Sequence, residues 1–197
     1  MAEEQRSVTK LILASQSPRR KELLGILGIP FEIIPAEIAE VPRPGESPET
    51  FVVRAAREKG DEVASRVSNT VVLSADTIVT IDGRILGKPV DEPDAVRMLM
   101  LLSGHQHEVL TAVRIIDQVH ANTFSGLEKT KVWFNPMTES QALEYVRREP
   151  VLDKAGSYAI QGFAQVYISK IDGNYSNVMG LPLPMVCSLL KQAKVYF

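Results

Sequence analysis

Two arginines, Arg19 and Arg20, follow Pro18 in the stretch Ala14-Ser15-Gln16-Ser17-Pro18-Arg19-Arg20. Ser17 reads as an N-cap and Pro18 as the first helical position, so both arginines fall in a first helical turn. Free amides at a helix start attract anions, and cations placed there oppose the helix dipole. A phosphate group would resolve that conflict, because guanidinium groups match its oxygens in pairs. The same residues also fit two solvated arginines beside a well-capped helix.

Asp76 stands inside the apolar run Val71-Val72-Leu73-Ser74-Ala75-Asp76-Thr77-Ile78-Val79. A carboxylate in such a strand is costly unless it is paired, coordinated or protonated. It shares a strand face with Ser74 and Val72. The apolar run resumes directly after Thr77, which favours a functional carboxylate over a solvated strand end. Lys59, in Arg54-Ala55-Ala56-Arg57-Glu58-Lys59, and Lys88, in Gly87-Lys88-Pro89, are mobile point charges of the kind that neutralise phosphates. Each alone also reads as an ordinary surface lysine. Glu37 and Glu40 precede a proline-rich loop. They are either solvated or part of a Mg²⁺ site, where one or two carboxylates act together with phosphate oxygens. Asp153-Lys154-Ala155-Gly156-Ser157-Tyr158-Ala159-Ile160-Gln161-Gly162 is a glycine-bounded turn. Its Gln161 carries the donor and acceptor that reading a base edge requires.

Other chemistries find less support. His105 and His107 alternate at strand spacing, but no further zinc ligand accompanies them. Ser15 and Ser17 lack a nucleophile elbow or a Ser-His-Asp set. No Gly-x-x-x-x-Gly-Lys-Ser/Thr loop exists.

The elements that must position these groups alternate between strand and helix. Leu11–Ala14, Phe31–Ile34, Thr70–Ile81, His107–Ile116, Ala121–Phe134 and Gln165–Ile171 read as strands. Asp82-Gly83 is a two-residue hairpin turn with Ile85-Leu86 beginning the return strand. Helices are expected from Ser17 to a stop at Gly28, over Pro48–Val67 and Glu92–Leu102, from a capping box at Thr138 and Gln141, and over Leu183–Val195. Hairpins among alternating strands and helices predict a mixed sheet covered by helices.

The chain has 197 residues, of which 45% are apolar, and a formal net charge of -2. One domain with two lobes is expected, with a polar tail over residues 1–9. The charge gives no basic face for a nucleic-acid polymer. With one cysteine, Cys187, an internal disulfide is excluded. No apolar run reaches membrane length, and the N-terminus lacks a secretory h-region. A cytoplasmic protein is the expectation.

In order along the chain, Ser15–Arg20, Arg54–Lys59, Ala75–Val79, Gly87–Pro89 and Asp153–Gly162 resemble the motifs of the Maf family of nucleotide pyrophosphatases. Ser103-Gly104, His107, Thr111–Val113 and Gly180-Leu181-Pro182 resemble it as well. The resemblance implies an α/β fold like that of inosine triphosphate pyrophosphatases, with a long mixed sheet and two lobes around a central cleft. It implies cleavage of a nucleoside triphosphate to the monophosphate and pyrophosphate. Asp76 falls on the family's general base. Ser15, Arg19, Arg20, Lys59 and Lys88 fall on substrate positions, and Glu40 with Asp76 on the site of a divalent cation, Mg²⁺ or Mn²⁺. Arg19, Thr77 and Gln161 look like the branch preferring dTTP and UTP, whereas the 7-methyl-GTP branch tends to tryptophan, glutamine or glutamate, and glutamate there. Gly60 and Ser157 depart from a common alanine and a frequent glycine. The partners implied are the nucleotide and, as an assembly, a homodimer. A nucleotide-binding regulator of septum formation with incidental hydrolysis, and a phosphatase releasing orthophosphate, are the competing readings.

Overall fold

The computed structural model describes residues 10–196; the expected polar tail and Phe197 lie outside them. Seven strands form one mixed sheet: β1 (Lys10–Leu13), β2 (Phe31–Ile33), β3 (Thr70–Ile81), β4 (Arg84–Leu86), β5 (Gln106–Asp117), β6 (Asn122–Phe134) and β7 (Ile168–Asp172). The order is β2-β1-β3-β5-β6-β7, with β4 pairing with β3. β1 runs parallel to β2 and β3, and the other pairings are antiparallel. The helices are α1 (Pro18–Gly25), α2 (Pro48–Ser65), α3 (Glu92–Leu102), α4 (Glu139–Arg148), α5 (Tyr175–Met179) and α6 (Leu183–Gln192).

β3 organises the molecule. It is buried on both faces apart from the half-buried Thr77, which explains its unbroken β-branched and apolar composition. On one face Val71, Leu73 and Ala75 enter a core with α1 and α6, while Val79 and Ile81 enter another with α3 and α4. Thr77 stands where one core gives way to the other. On the opposite face Val72 packs with Val63, and Ile78 packs with Phe51 and Ala55. Ser74 and Asp76 fill the interval between those clusters.

The chain leaves β1 for β2 on one side and leaves β3 for the antiparallel strands on the other. The crevice beyond the end of β1 is therefore a topological switch point, the place where open α/β sheets bind ligands. The register pairs Leu13 with Leu73, so Ser15 on the turn and Asp76 and Thr77 on β3 all lie just past that end.

The hairpin turn forms as expected, with φ of 49° at Asp82 and 74° at Gly83. Three expected boundaries shift most. α1 ends at Gly25 and α6 at Gln192, both followed by turns. β7 starts at Ile168 rather than Gln165, because Phe163–Val166 forms a 3-10 turn drawn onto α4. There the Phe163 amide donates to Glu149 at 3.1 Å, and Arg148 lies over the Phe163 ring. The short α5, capped by Asn174, forms between β7 and α6, where the sequence pattern predicts no element.

Of the two departures from the family pattern, Gly60 has a local cause, whereas the backbone at Ser157 explains the frequent glycine and not the serine. A Cβ on Gly60 would come 2.7 Å from Ser74 Oγ, so glycine lets α2 approach β3 while that hydroxyl donates to the Ala56 carbonyl at 2.8 Å. Ser157 adopts φ of 62°, a conformation that glycine takes without strain.

Candidate active site

The turn after β1 is built as the sequence indicates. Ser17 Oγ accepts from the Arg20 amide at 3.5 Å, and Ser15 Oγ accepts from the Ser17 amide at 3.2 Å. The first turn holds no acidic residue. Arg20 folds back over it: Nη1 donates to Ser15 Oγ at 3.3 Å, Nη2 to Thr77 Oγ1 at 3.0 Å and Nε to the Gly180 carbonyl at 2.8 Å. All three acceptors are neutral, so the guanidinium is fixed without being neutralised. Burial pushes it below its usual range, against the opposing pull of Asp76 and Glu40. Arg19 points elsewhere, to Asp153 at 3.2 Å, and its charge adds to the strain on Arg20.

On the other face of β3, Lys59 reaches from α2 to Asp76. Nζ lies 2.5 Å from Asp76 Oδ1 and 2.9 Å from Glu40 Oε2. Asp76 is 3% exposed and Lys59 7%. Burial raises the Asp76 carboxyl above its ordinary range, although Lys59 and Arg20 pull the other way. Burial also works against the Glu40 charge, but Lys59, with smaller help from Asp76 and the exposed Lys88, holds that carboxyl below its usual range. The two carboxylates thus differ: Asp76 is kept basic, and Glu40 is kept ionised. Such a split is how neighbouring acids are given separate tasks.

The oxygen pair of Glu40 and Asp76 fits a hard divalent cation. No group of three or more His, Cys, Asp or Glu residues suited to a metal occurs among the described residues. The protein's two carboxylates would therefore need phosphate oxygens and water to complete a coordination shell, the usual pattern for Mg²⁺. His107 is a core residue. It sits 2.8 Å from the Tyr158 hydroxyl, and burial lowers it to about 3.

The structure brings Ser15, Arg20 and Thr77 together on one face of β3 and Lys59, Asp76 and Glu40 together on the other, and the Arg20 charge acts on both carboxylates. Arg19 is not part of either group: it pairs with Asp153, and its charge repels that of Arg20. The loop of Lys88 is tied to the Asp153–Gly162 segment, since the Gly156 amide donates to the Gly87 carbonyl at 3.0 Å. Gln161 stands apart: it is half-buried, and no hydrogen bond joins it to Arg19, Arg20 or Thr77. Two shallow surface hollows, one beside Arg43, Thr50 and Arg57 and one beside Pro93, Val96 and Met100, contain none of these side chains.

Sequence reasoning misses the backing of Arg20. Thr77 Oγ1 lies 3.0 Å from Thr111 Oγ1, which donates to the Asn177 carbonyl, while Asn177 Nδ2 donates to the Val109 carbonyl and to Thr130 Oγ1. This chain, fully buried beyond Thr77, pins α5, and with it the Gly180 carbonyl. Its sequence signals are Thr111 and Gly180, each in a segment that resembles the family, and Gly180 takes φ of 111°.

Fold and site define a mixed α/β protein whose central strand sets a buried carboxylate among cations at a topological switch point. Over residues 10–193 the chain matches the family model described as Maf-like protein, and it belongs to that family. It is 49% identical over 183 residues to a dTTP/UTP pyrophosphatase of Bacillus mycoides, covering 93% of this chain and 95% of the relative. It is 46% identical over 175 residues to a dTTP/UTP pyrophosphatase of Geobacter metallireducens, covering 89% and 91%. Among solved structures, the Ham1 protein of Staphylococcus aureus is 12% identical with a TM-score of 0.46, over 64% of this chain and 72% of that one.

Proposed function

We propose that this chain is a nucleoside triphosphate diphosphatase that hydrolyses dTTP and UTP to the monophosphate and pyrophosphate. The observation that carries the reading is Lys59 held between Asp76 and Glu40, with the Arg20 charge within electrostatic reach of both carboxylates. The names and near-complete coverage of the relatives support turnover over a purely binding, regulatory role.

In this mechanism the triphosphate lies across the turn at Ser15. Arg19, Arg20, Lys59 and Lys88 share its negative charge. Glu40 and Asp76 would hold a divalent cation, Mg²⁺ or Mn²⁺, which supplies further charge neutralisation at the phosphates. Asp76 takes the proton of a water whose oxygen bonds to the α-phosphorus. The bond from that phosphorus to the bridging oxygen breaks, and pyrophosphate leaves with the electron pair. Positioning and electrostatics do most of the work. Gln161 reads the base edge. Thr77 influences base preference by way of Arg20, to which its hydroxyl is bonded. The reading places the protein in the cytoplasm with the nucleotide as partner and a homodimer as the assembly. No helix among the described residues is long and apolar enough to cross a membrane.

The decisive experiment is a panel of nucleoside triphosphates with Mg²⁺ and Mn²⁺, scored by product. Pyrophosphate from dTTP and UTP is expected, and orthophosphate as the first product would overturn the reading. Asp76→Asn is expected to lose about 10³-fold in rate while keeping its fold, within the usual range for a lost general base.

A further inference from the structure

The segment 34–47 contains no helix or strand, yet Glu40 in its middle delivers a carboxylate to a buried lysine. A loop that must place one group needs its backbone fastened. α2 supplies the fasteners from a single ridge. Arg54, Glu58, Glu62 and Arg66 recur every four residues, so they line one side of the helix and its cap. Arg66 Nη2 donates to the Pro35 carbonyl at 2.6 Å, and Glu62 Oε2 accepts from the Glu37 amide at 3.2 Å.

The contact nearest Glu40 belongs to Arg54. Its Nη2 donates to the Val41 carbonyl at 3.0 Å, one residue beyond Glu40. Nε and Nη2 grip the two oxygens of Glu46 at 2.7 Å each, and Nη1 donates to Glu58 at 2.9 Å. The Arg54 and Glu46 side chains are 9% and 6% exposed, whereas the partners at Arg66 and Glu62 are 38% and 26% exposed. Exposed pairs contribute little, while a closed, two-pronged guanidinium–carboxylate contact fixes geometry. Arg54 also sits five positions before Lys59 on the same helix. One helix therefore holds both the Glu40 carboxylate and the backbone that presents it.

We propose that Arg54 is a positioning residue: by clamping Val41 and Glu46 it sets the Glu40 carboxylate against Lys59 and Asp76. This rests on the proposed role of Glu40 in binding the metal-nucleotide.

The test is a double-mutant cycle of Arg54→Met and Glu40→Gln, with thermal unfolding of every variant. Arg54→Met alone is expected to lower kcat/KM by about 10- to 100-fold, the usual effect of removing a group that orients a ligand. In the Glu40→Gln background it is expected to change activity by less than about twofold, because the group it positions is already disabled. Its effect on unfolding is expected to be the same in both backgrounds. Amide exchange over residues 38–46 is expected to quicken in Arg54→Met, and Mn²⁺ binding with a non-hydrolysable UTP analogue is expected to weaken. Equal activity losses in both backgrounds would show a merely structural role and overturn the inference. Full activity in Glu40→Gln would overturn it together with the role of Glu40, while pyrophosphate release by the unmodified enzyme separately tests the proposed reaction. Where Arg54→Met does not fold, Glu46→Gln replaces it in the same cycle, leaving the guanidinium in place but weakening its grip.

Discussion

The Lys59 ammonium lies 2.5 Å from Oδ1 of Asp76, and both side chains are closed to solvent. A lone buried carboxylate would protonate or unfold the strand that carries it. Lys59 opposes that penalty, while burial keeps Asp76 more basic than an exposed aspartate. The same lysine holds Glu40, so a single cation organises the whole acidic side of the crevice.

Lys59→Met is expected to raise the Asp76 carboxyl further, because the charge that opposes its desolvation is gone. A base must be deprotonated to act, so the acid limb of the pH profile of kcat/KM moves to higher pH. A limb that stays in place or moves to lower pH would refute this account of the pair. Stability should fall by about 3 kcal/mol near neutral pH, the low end for an orphaned buried charge, since Arg20 still faces the carboxylate. A raised folded-state carboxyl holds its proton where the unfolded chain has lost it, so stability declines as pH rises through that window. The destabilisation should therefore shrink on acidification, which urea unfolding at several pH values checks.

Thr77→Val removes the hydroxyl that accepts from Arg20 and contacts Thr111, with little change in volume. The expected result is a fall in kcat/KM of roughly fivefold to tenfold for both dTTP and UTP, corresponding to about one hydrogen bond, with a smaller loss for purine triphosphates. A large change in the ratio of the two substrates, with Arg20-dependent binding intact, would show that Thr77 touches the base directly.

Gln161 is the one specificity residue with no tie to the cation set. Gln161→Glu replaces an amide donor with a negative acceptor-only group. UTP turnover should fall, and the relative rate with 7-methyl-GTP should rise. Unmoved rates for both substrates would remove Gln161 from the base-reading role.

Gly156→Ala tests how the Asp153–Gly162 segment is seated. Gly156 has φ of 66°, and an added Cβ would come 2.9 Å from Val79 Cγ2. Backbone strain and overpacking together should cost about 2–4 kcal/mol. In a chain of this length that is a Tm lower by roughly 4–16 °C. An unchanged Tm in calorimetry would mean the segment is not anchored on β3.

The amino-acid order was enough for much of this. Local rules of capping, turn chemistry and period-2 alternation located β3 from Thr70 to Ile81, α3 from Glu92 to Leu102 and the Asp82-Gly83 turn at the residues where they form. They also marked Asp76 as anomalous and put Arg19 and Arg20 in a helix start, because burial cost and helix polarity depend on residues a few positions apart. Boundaries set by distant contacts were less legible: β7 begins late because Glu149 and Arg148 capture Phe163.

Which charges meet was a matter of three-dimensional packing. Nothing in residue spacing says that Lys59 selects Asp76 and Glu40, that Arg20 rests on Thr77 and Gly180, or that Arg19 turns away to Asp153. Those pairings arise where β1 ends beside β3, with α2 on one face of the sheet and α1 and α5 toward the other. Capping and strand alternation act over a few residues of chain. Pairing of buried charges is decided through space, by whichever partners the sheet order and helix packing bring within reach.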